Sequence, residues 1–273
     1  MKEMRLLMVL SAALLLMTDM TYAQSADDGK EGYRLVFSDE FNGPDNSQPD
    51  ASKWSRCRRG LSTWDRLMCD DERVAVVRSG ALHLRAIPNR DLQRDTAKML
   101  TGGIETKDKF SFQYGRVEVR LKTKRHAGNF PATWMMPQPP AEDHPKGGEI
   151  DIFETIDTER TSYHTIHSYW TNVVAPQTSH ERQFRASLNV SRWHVYAFEW
   201  TPAEMSYYVD GVYLGTYRKS GDPHALANGQ WPFDHPFYLI LNQAVGNGSW
   251  AKNYDPTYSY ETQIDWVRVY QKE

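Results

Sequence analysis

The 273-residue chain is predicted to fold as an all-β antiparallel sandwich, and three observations carry that expectation. Short segments with alternating apolar and polar residues recur along its length, as half-buried strands require. Turn pairs such as Ser79-Gly80, Gly102-Gly103 and Asp210-Gly211 separate them. Helical periodicity is sparse, with Ala225 to Asn228 reading as a single turn. Sandwiches commonly run to about 200–250 residues as one unit, so one domain over 33–273 accounts for the chain. A formal charge of −3 removes the usual argument for nucleic acid as a partner. Nine Trp, fifteen Tyr and ten Phe suit sugar faces and β cores equally, so the aromatic content decides nothing alone.

Taken in order, residues 1–23 have a basic start at Lys2 and Arg5, an apolar run from Leu6 to Met17, and Thr21-Tyr22-Ala23 before Gln24. This is the pattern of a cleavable secretory signal, and the apolar run is too short for a membrane span. No cysteine stands near the cleavage point to accept a lipid, so a secreted or periplasmic location is expected. Residues 24–32 are polar and read as a flexible lead-in. Strands are expected at Leu35–Ser38, Val74–Val77, Leu82–Ile87, Ile104–Thr106, Val117–Leu121, Thr133–Met136, Ile150–Glu154, His164–Tyr169, His194–Trp200, Met205–Val209, Val212–Tyr217, Tyr238–Gln243 and Ile264–Tyr270. Cys57 and Cys69 close a short loop, and export would permit a disulfide contributing roughly 3 kcal/mol. Two buried thiols are the alternative. No His or Cys cluster accompanies the pair to suggest a metal.

The most informative stretch is Gly148-Glu149-Ile150-Asp151-Ile152-Phe153-Glu154. In a strand, Glu149 and Asp151 share one face and the apolar residues share the other, but strict alternation sends Glu154 to the apolar side. A β-bulge around Ile152 or Phe153 restores it, because two residues then occupy the place of one. Three acids on one face of a central strand repel one another and resist desolvation, so stability does not explain them. Chemistry does. A retaining glycosidase needs two carboxyl groups about 5–5.5 Å apart, one ionised as nucleophile and one protonated as acid.

Glu-Ile-Asp-Ile-Phe-Glu resembles the Glu-x-Asp-x-x-Glu motif of glycoside hydrolase family 16, in the bulged form of its laminarinase-like and galactanase-like branches. Further segments resemble the family in order: Phe37-Ser38-Asp39-Glu40-Phe41, Gly115 to Arg120, Pro131-Ala132-Thr133-Trp134, Trp193 to Trp200, Val209-Asp210-Gly211 and Ile264 to Tyr270. The resemblance, from about Tyr33 to Tyr270, implies a jelly roll of two curved antiparallel sheets with a concave substrate cleft. It implies Glu149 as nucleophile, Glu154 as general acid/base, and Asp151 as the middle acid that orients the nucleophile. Glu118 and Arg120 are expected to look into the cleft and bind sugar hydroxyls. Trp134 is expected to be a stacking platform, beside Phe130 where the family commonly has Trp. His167 resembles the family residue next to the acid/base, with His164 and Trp170 as weaker candidates. Asn242, Gln243 and Trp250 border the cleft by the same resemblance. A structural calcium on Glu40, Gly43 and Asp265 is implied as possible; no cofactor is implied for catalysis.

These readings converge on an endo-acting, retaining hydrolase of β-1,3- or mixed β-1,3/1,4-glucan. It is expected to be monomeric, with a polysaccharide or oligosaccharide as its partner. The departure at Phe130 keeps open a galactose-containing substrate, such as a mucin O-glycan, porphyran or agar. A jelly roll also serves carbohydrate-binding modules, and a non-catalytic lectin is the alternative from another class.

Overall fold

A computed structural model describes residues 32–273, so the expected signal segment and most of the lead-in lie outside the described residues. In chain order the strands are β1 (Tyr33–Asp39), β2 (Ser55–Arg56), β3 (Ala75–Arg78), β4 (Ala81–Pro88), β5 (Met99–Glu105), β6 (Gly115–Thr123), β7 (Asn129–Pro137) and β8 (Glu149–Glu154). There follow β9 (Thr161–His167), β10 (Gln183–Ser187), β11 (His194–Trp200), β12 (Glu204–Val209), β13 (Val212–Arg218), β14 (Phe237–Val245) and β15 (Tyr260–Lys272). The expected helical turn is present as α1 (Pro223–Ala227), with the Asp222 side chain accepting a bond from the His224 amide at its start.

The strands join in one antiparallel path, β10-β9-β8-β7-β14-β5-β4-β15-β6-β11-β12-β13, with β1, β2 and β3 pairing β15, β5 and β4 beside it. The path folds over at β5, whose first half pairs β4 and whose second half pairs β14. The two expected sheets are therefore layers of one nearly closed sheet. The inner layer is β10-β9-β8-β7-β14-β5; the outer is β4-β15-β6-β11-β12-β13.

Between the layers lies one large apolar cluster in which the alternation of each strand is visible. It takes Val117, Val119 and Leu121 from β6, Ile150, Ile152 and Phe153 from β8, Phe198 and Trp200 from β11, and Leu239 and Leu241 from β14. All are essentially inaccessible to solvent, so their burial fixes which face of every strand is left for other uses.

One sequence expectation changes here, one strand is added, and the alternative left open for the cysteines closes. Gly102-Gly103, read as a turn, sits inside β5. A side chain at Gly102 would meet the Val74 carbonyl oxygen at 2.0 Å, and one at Gly103 the Cys57 sulfur at 2.9 Å, so these glycines serve close approach of neighbouring backbone. Strand β10, Gln-Phe-Arg-Ala-Ser, is a further strand, with only weak apolar alternation. The Cys57–Cys69 bond is not formed, and both thiols are free. Cys57 and Cys69 dock through their amides on Gly103 and Thr101, two residues apart along β5. Their side chains then enter different apolar clusters, Cys57 with Met68, Trp134 and Tyr238, and Cys69 with Val74, Ile87 and Leu100.

Gly148, immediately before the acid row, has φ +85, and a Cβ there would meet the Phe233 ring at 2.6 Å. Gly148→Ala should therefore destabilise the fold by at least about 1–2 kcal/mol from backbone strain alone. Thermal unfolding should show a lower Tm, and turnover should fall with it because Glu149 is the next residue.

Candidate active site

The acid row is built by a register shift at the expected place. Against β9, Asp151 pairs Thr165 and Glu154 pairs Tyr163, so Ile152 and Phe153 together oppose the single residue His164. Against β7, Thr133 pairs Phe153 while Trp134 pairs Asp151, the same two-for-one step. Ile150, Ile152 and Phe153 all point into the core, and Glu149, Asp151 and Glu154 all emerge on the concave face. Their neighbours across the ladder on that face are His167, Thr165 and Tyr163 on one side and Trp134 and Ala132 on the other.

The three carboxyl groups occupy different electrostatic situations. Burial pushes Glu149 up, but a hydrogen bond from His144, the imidazoles of His167 and His144, and a bond from Asp151 together hold it below the ordinary carboxylate range. His144 Nε2 lies 2.9 Å from Glu149 Oε2. Asp151 is raised well above its ordinary value, first by burial and then by the adjacent Glu149 charge and their shared hydrogen bond. Its proton is thus donated to Glu149. Glu154 is also raised well above the usual range, by burial first and then by repulsion from Asp151 and Glu149. One end of the row favours a carboxylate and the other a carboxylic acid, the split that a nucleophile and a proton donor require.

His167 is fixed by its other nitrogen. Arg182 Nη1 is 2.8 Å from His167 Nδ1, and an arginine can only donate, so Nδ1 carries the lone pair and Nε2 the proton. Nε2 then faces Asp151 Oδ2 at 3.2 Å. Glu149, Asp151 and His167 bring ligand atoms within 4.8 Å of one another, a spacing suited to a cation. A protonated Nε2 has no lone pair for a metal, so in this tautomer the trio does not supply a complete set of ligands.

The floor of the concave face is an apolar cluster of Cys57, Met68, Ala132, Trp134, Tyr238, Ile240 and Ala244, with Trp64, Phe130 and Met136 packed on it. Trp134 is on the acids' face as expected, but its ring is 95% buried under the edge of Trp64, 4.9 Å between centroids. Its Nε1 donates to Asn242 Oδ1 at 2.7 Å. Trp134 is a floor residue, and the half-exposed Trp64 is the ring nearer solvent. At the Glu154 end, Phe130 packs with Ile156, Tyr163 and Ala251, and Trp250, 42% exposed, meets Tyr163 edge-on at 5.2 Å. Asp157 braces this rim by accepting from the Gly128 amide at 2.7 Å and the Lys252 amide at 3.1 Å.

Other expected site residues lie elsewhere. Glu118 and Arg120 alternate as expected, but β6 belongs to the outer layer, so their face is the outside of the sandwich. Glu118 pairs with Arg116 at 2.7 Å; Arg120 binds Asp265 and lies over the Trp193 ring. Gln243 points to the opposite side of β14 from Asn242, where it bonds Asn129 and Thr262. His164 is buried in the core. Trp170 follows β9 and packs against His224. The calcium set does not assemble, since Arg268 takes both oxygens of Glu40 at 2.9 Å and Arg120 takes Asp265. The sequence reading missed His144, Trp64, Arg182 and Asp157. Only His144 had a local signal, its place in a Pro- and Gly-rich loop leading directly into Glu149.

Two carboxyl groups on one face of an aromatic-floored concave layer, one held below the ordinary range and one well above it, are what a glycoside hydrolase requires. A family model described as glycosyl hydrolases family 16 matches residues 72–268. The chain belongs to that family. It is 37% identical over 242 residues to a keratan-sulfate endo-1,4-beta-galactosidase of Sphingobacterium multivorum, an alignment covering 87% of this chain and 55% of that protein. It is 33% identical over 256 residues to a beta-glucanase of Rhodothermus marinus, covering 87% and 85%. The X-ray structure of the laminarinase from Rhodothermus marinus superposes with a TM-score of 0.78 at 30% identity, covering 88% of this chain and 98% of that one. The chain thus spans about half the length of the galactosidase relative and most of the glucanase.

The opposed shifts of Glu149 and Glu154 give a bell-shaped pH profile. Activity should rise as pH passes upward through the lowered value of Glu149 and fall as it passes through the raised value of Glu154. His144→Ala removes a bond that lowers Glu149, so the acidic limb of kcat/KM should move to higher pH while the alkaline limb stays in place.

Proposed function

We propose that this protein is a retaining, endo-acting β-glycan hydrolase that cuts internal bonds of β-1,3- or mixed β-1,3/1,4-glucan. The observation that carries the reading is the opposite bias of two carboxyl groups on one strand, Glu149 toward the anion and Glu154 toward the acid. Glu154 protonates the departing glycosidic oxygen while Glu149 attacks the anomeric carbon. Water, deprotonated by Glu154 in its second role, then releases the covalent sugar with its configuration retained. Asp151 donates its hydrogen bond to Glu149 and so orients the attacking carboxylate. Nucleophile, acid and base are all side chains, and the displaced group is finally replaced by water, so no cofactor is required.

The glucan assignment is supported by the likeness to the Rhodothermus marinus glucanase and laminarinase. A second reading, a galactose-containing glycan, is favoured by the 37% identity to the keratan-sulfate galactosidase and by Phe130 at a position where a larger ring was expected. The basic, apolar and small-residue pattern of residues 1–23 supports export.

Glu149→Gln should lose nearly all turnover yet still bind oligosaccharide in isothermal titration; retained turnover would refute the assignment. Digestion of laminarin, barley glucan, agar, porphyran, carrageenan and a mucin O-glycan pool side by side should release reducing ends fastest from laminarin or barley glucan. Faster release from a galactose-containing glycan would select the second reading. N-terminal sequencing of the exported protein should begin at Gln24.

A further inference from the structure

His164 has no part in the chemistry above and is wholly buried, yet it occupies the one place on β9 that faces the bulge. Two residues of β8, Ile152 and Phe153, stand opposite it, so the strand ladder cannot pair them one for one. The side chain of His164 reaches across this gap. Its Nδ1 is 2.7 Å from the Ile152 carbonyl oxygen, and a carbonyl only accepts, so Nδ1 carries the proton. Its Nε2 is 2.9 Å from Ser162 Oγ and must then be the acceptor of the hydroxyl proton. Both ring nitrogens are satisfied in one tautomer.

We propose that His164 is a positioning residue for the general acid: by holding the Ile152 carbonyl it sets the bulge that turns Glu154 onto the face of Glu149. The inference rests on the reading of Glu154 as acid/base and adds the element that aims it. The surroundings suit a fixed neutral donor. Burial draws the imidazole down to about 4, and the rings facing it from β11 and β12 are Tyr196 and Tyr207, at 6.1 and 5.6 Å between centroids. No acid or base other than these tyrosines is in ring contact with it among the described residues, so the imidazole is not built to exchange protons with the cleft. The Tyr207 hydroxyl in turn donates to the Thr165 carbonyl, the residue beside His164 that pairs with Asp151. The core thus grips both strands at the step between the second and third acids.

The test compares substrates that differ in their need for an acid. A glucan oligosaccharide has a poor leaving group and depends on Glu154, whereas its 2,4-dinitrophenyl glycoside leaves without protonation. His164→Leu, which keeps the volume and removes the donor, should lose kcat on the oligosaccharide by roughly tenfold or more, up to the 10²–10⁴-fold that a general acid contributes in all. On the dinitrophenyl glycoside the first, glycosylation step should be almost unchanged. The alkaline limb of the pH profile should move to lower pH as Glu154 leaves its buried seat, and His164→Asn, whose amide nitrogen can replace Nδ1, should restore much of the difference. Equal losses on both substrates, or a lower Tm with an unmoved alkaline limb, would overturn the proposal. Should the leucine variant fail to fold, Ser162→Ala, which frees the tautomer, carries the same comparison. Glu154→Ala is the control, read on the glycosylation step alone because Glu154 also serves as base in the second step: if glycosylation loses equally on both substrates, the assignment of the acid has failed and not the role of His164.

Discussion

Carboxylates resist leaving water, and a strand that carries three of them on one face can be central to a sheet only if its other face compensates. In β8 that other face is Ile150, Ile152 and Phe153, all inaccessible to solvent and packed among the largest side chains of the core. Their burial anchors the strand, and the bulge reconciles two demands that a regular strand cannot meet together. Six residues with strict period two would place both Phe153 and Glu154 on the wrong side. A two-for-one step against both neighbouring strands seats both.

Once the acids share a face, their environments separate their roles. Glu149 stands at the end of the row served by His144 and, through Asp151, by His167 and Arg182. Glu154 stands at the end flanked by Ala132, Tyr163 and the Phe130 rim, where burial and the neighbouring negative charge favour its protonated form. Identical functional groups a few residues apart thereby acquire opposite biases, one toward the anion and one toward the acid, and the middle acid shares a hydrogen bond with the first. The same low-polarity floor that raises Glu154 also presents apolar rings to a sugar face.

The outer layer explains why alternation alone misleads about a binding site. Strand β6 has as clean an apolar and polar alternation as any in the chain, and its polar face carries Glu118 and Arg120. That face is the convex outside, where its charges find one another and aromatic rings: Arg116 with Glu118 and Glu199, Arg120 with Asp265 and Trp193. Arginines likewise occupy the carboxylates of Glu40 and Asp265 that were expected to hold calcium. A polar strand face is a site only where its sheet curves around something.

Much of this protein is local and therefore legible in its sequence. Period-two alternation gives the strands, and the odd spacing of Glu154 forces a bulge whose position follows from which residues must be buried. The acid row, and with it the class of chemistry, is readable because no stability argument accounts for it. What the sequence does not contain is the layer to which a strand belongs, since both layers of a sandwich are written in the same alternation, so Glu118 and Arg120 read as cleft residues; nor does it say which face of β14 is the concave one, so Gln243 read as one beside Asn242. Nor does it reveal partners brought from far along the chain. Asn242 reaches Trp134, Arg182 fixes His167, and Trp64 covers the floor, each through contacts that exist only after the sheet has closed. Local periodicity chose the strands and the acids; long-range packing alone decided which surface is concave, and so which of the polar residues face a substrate.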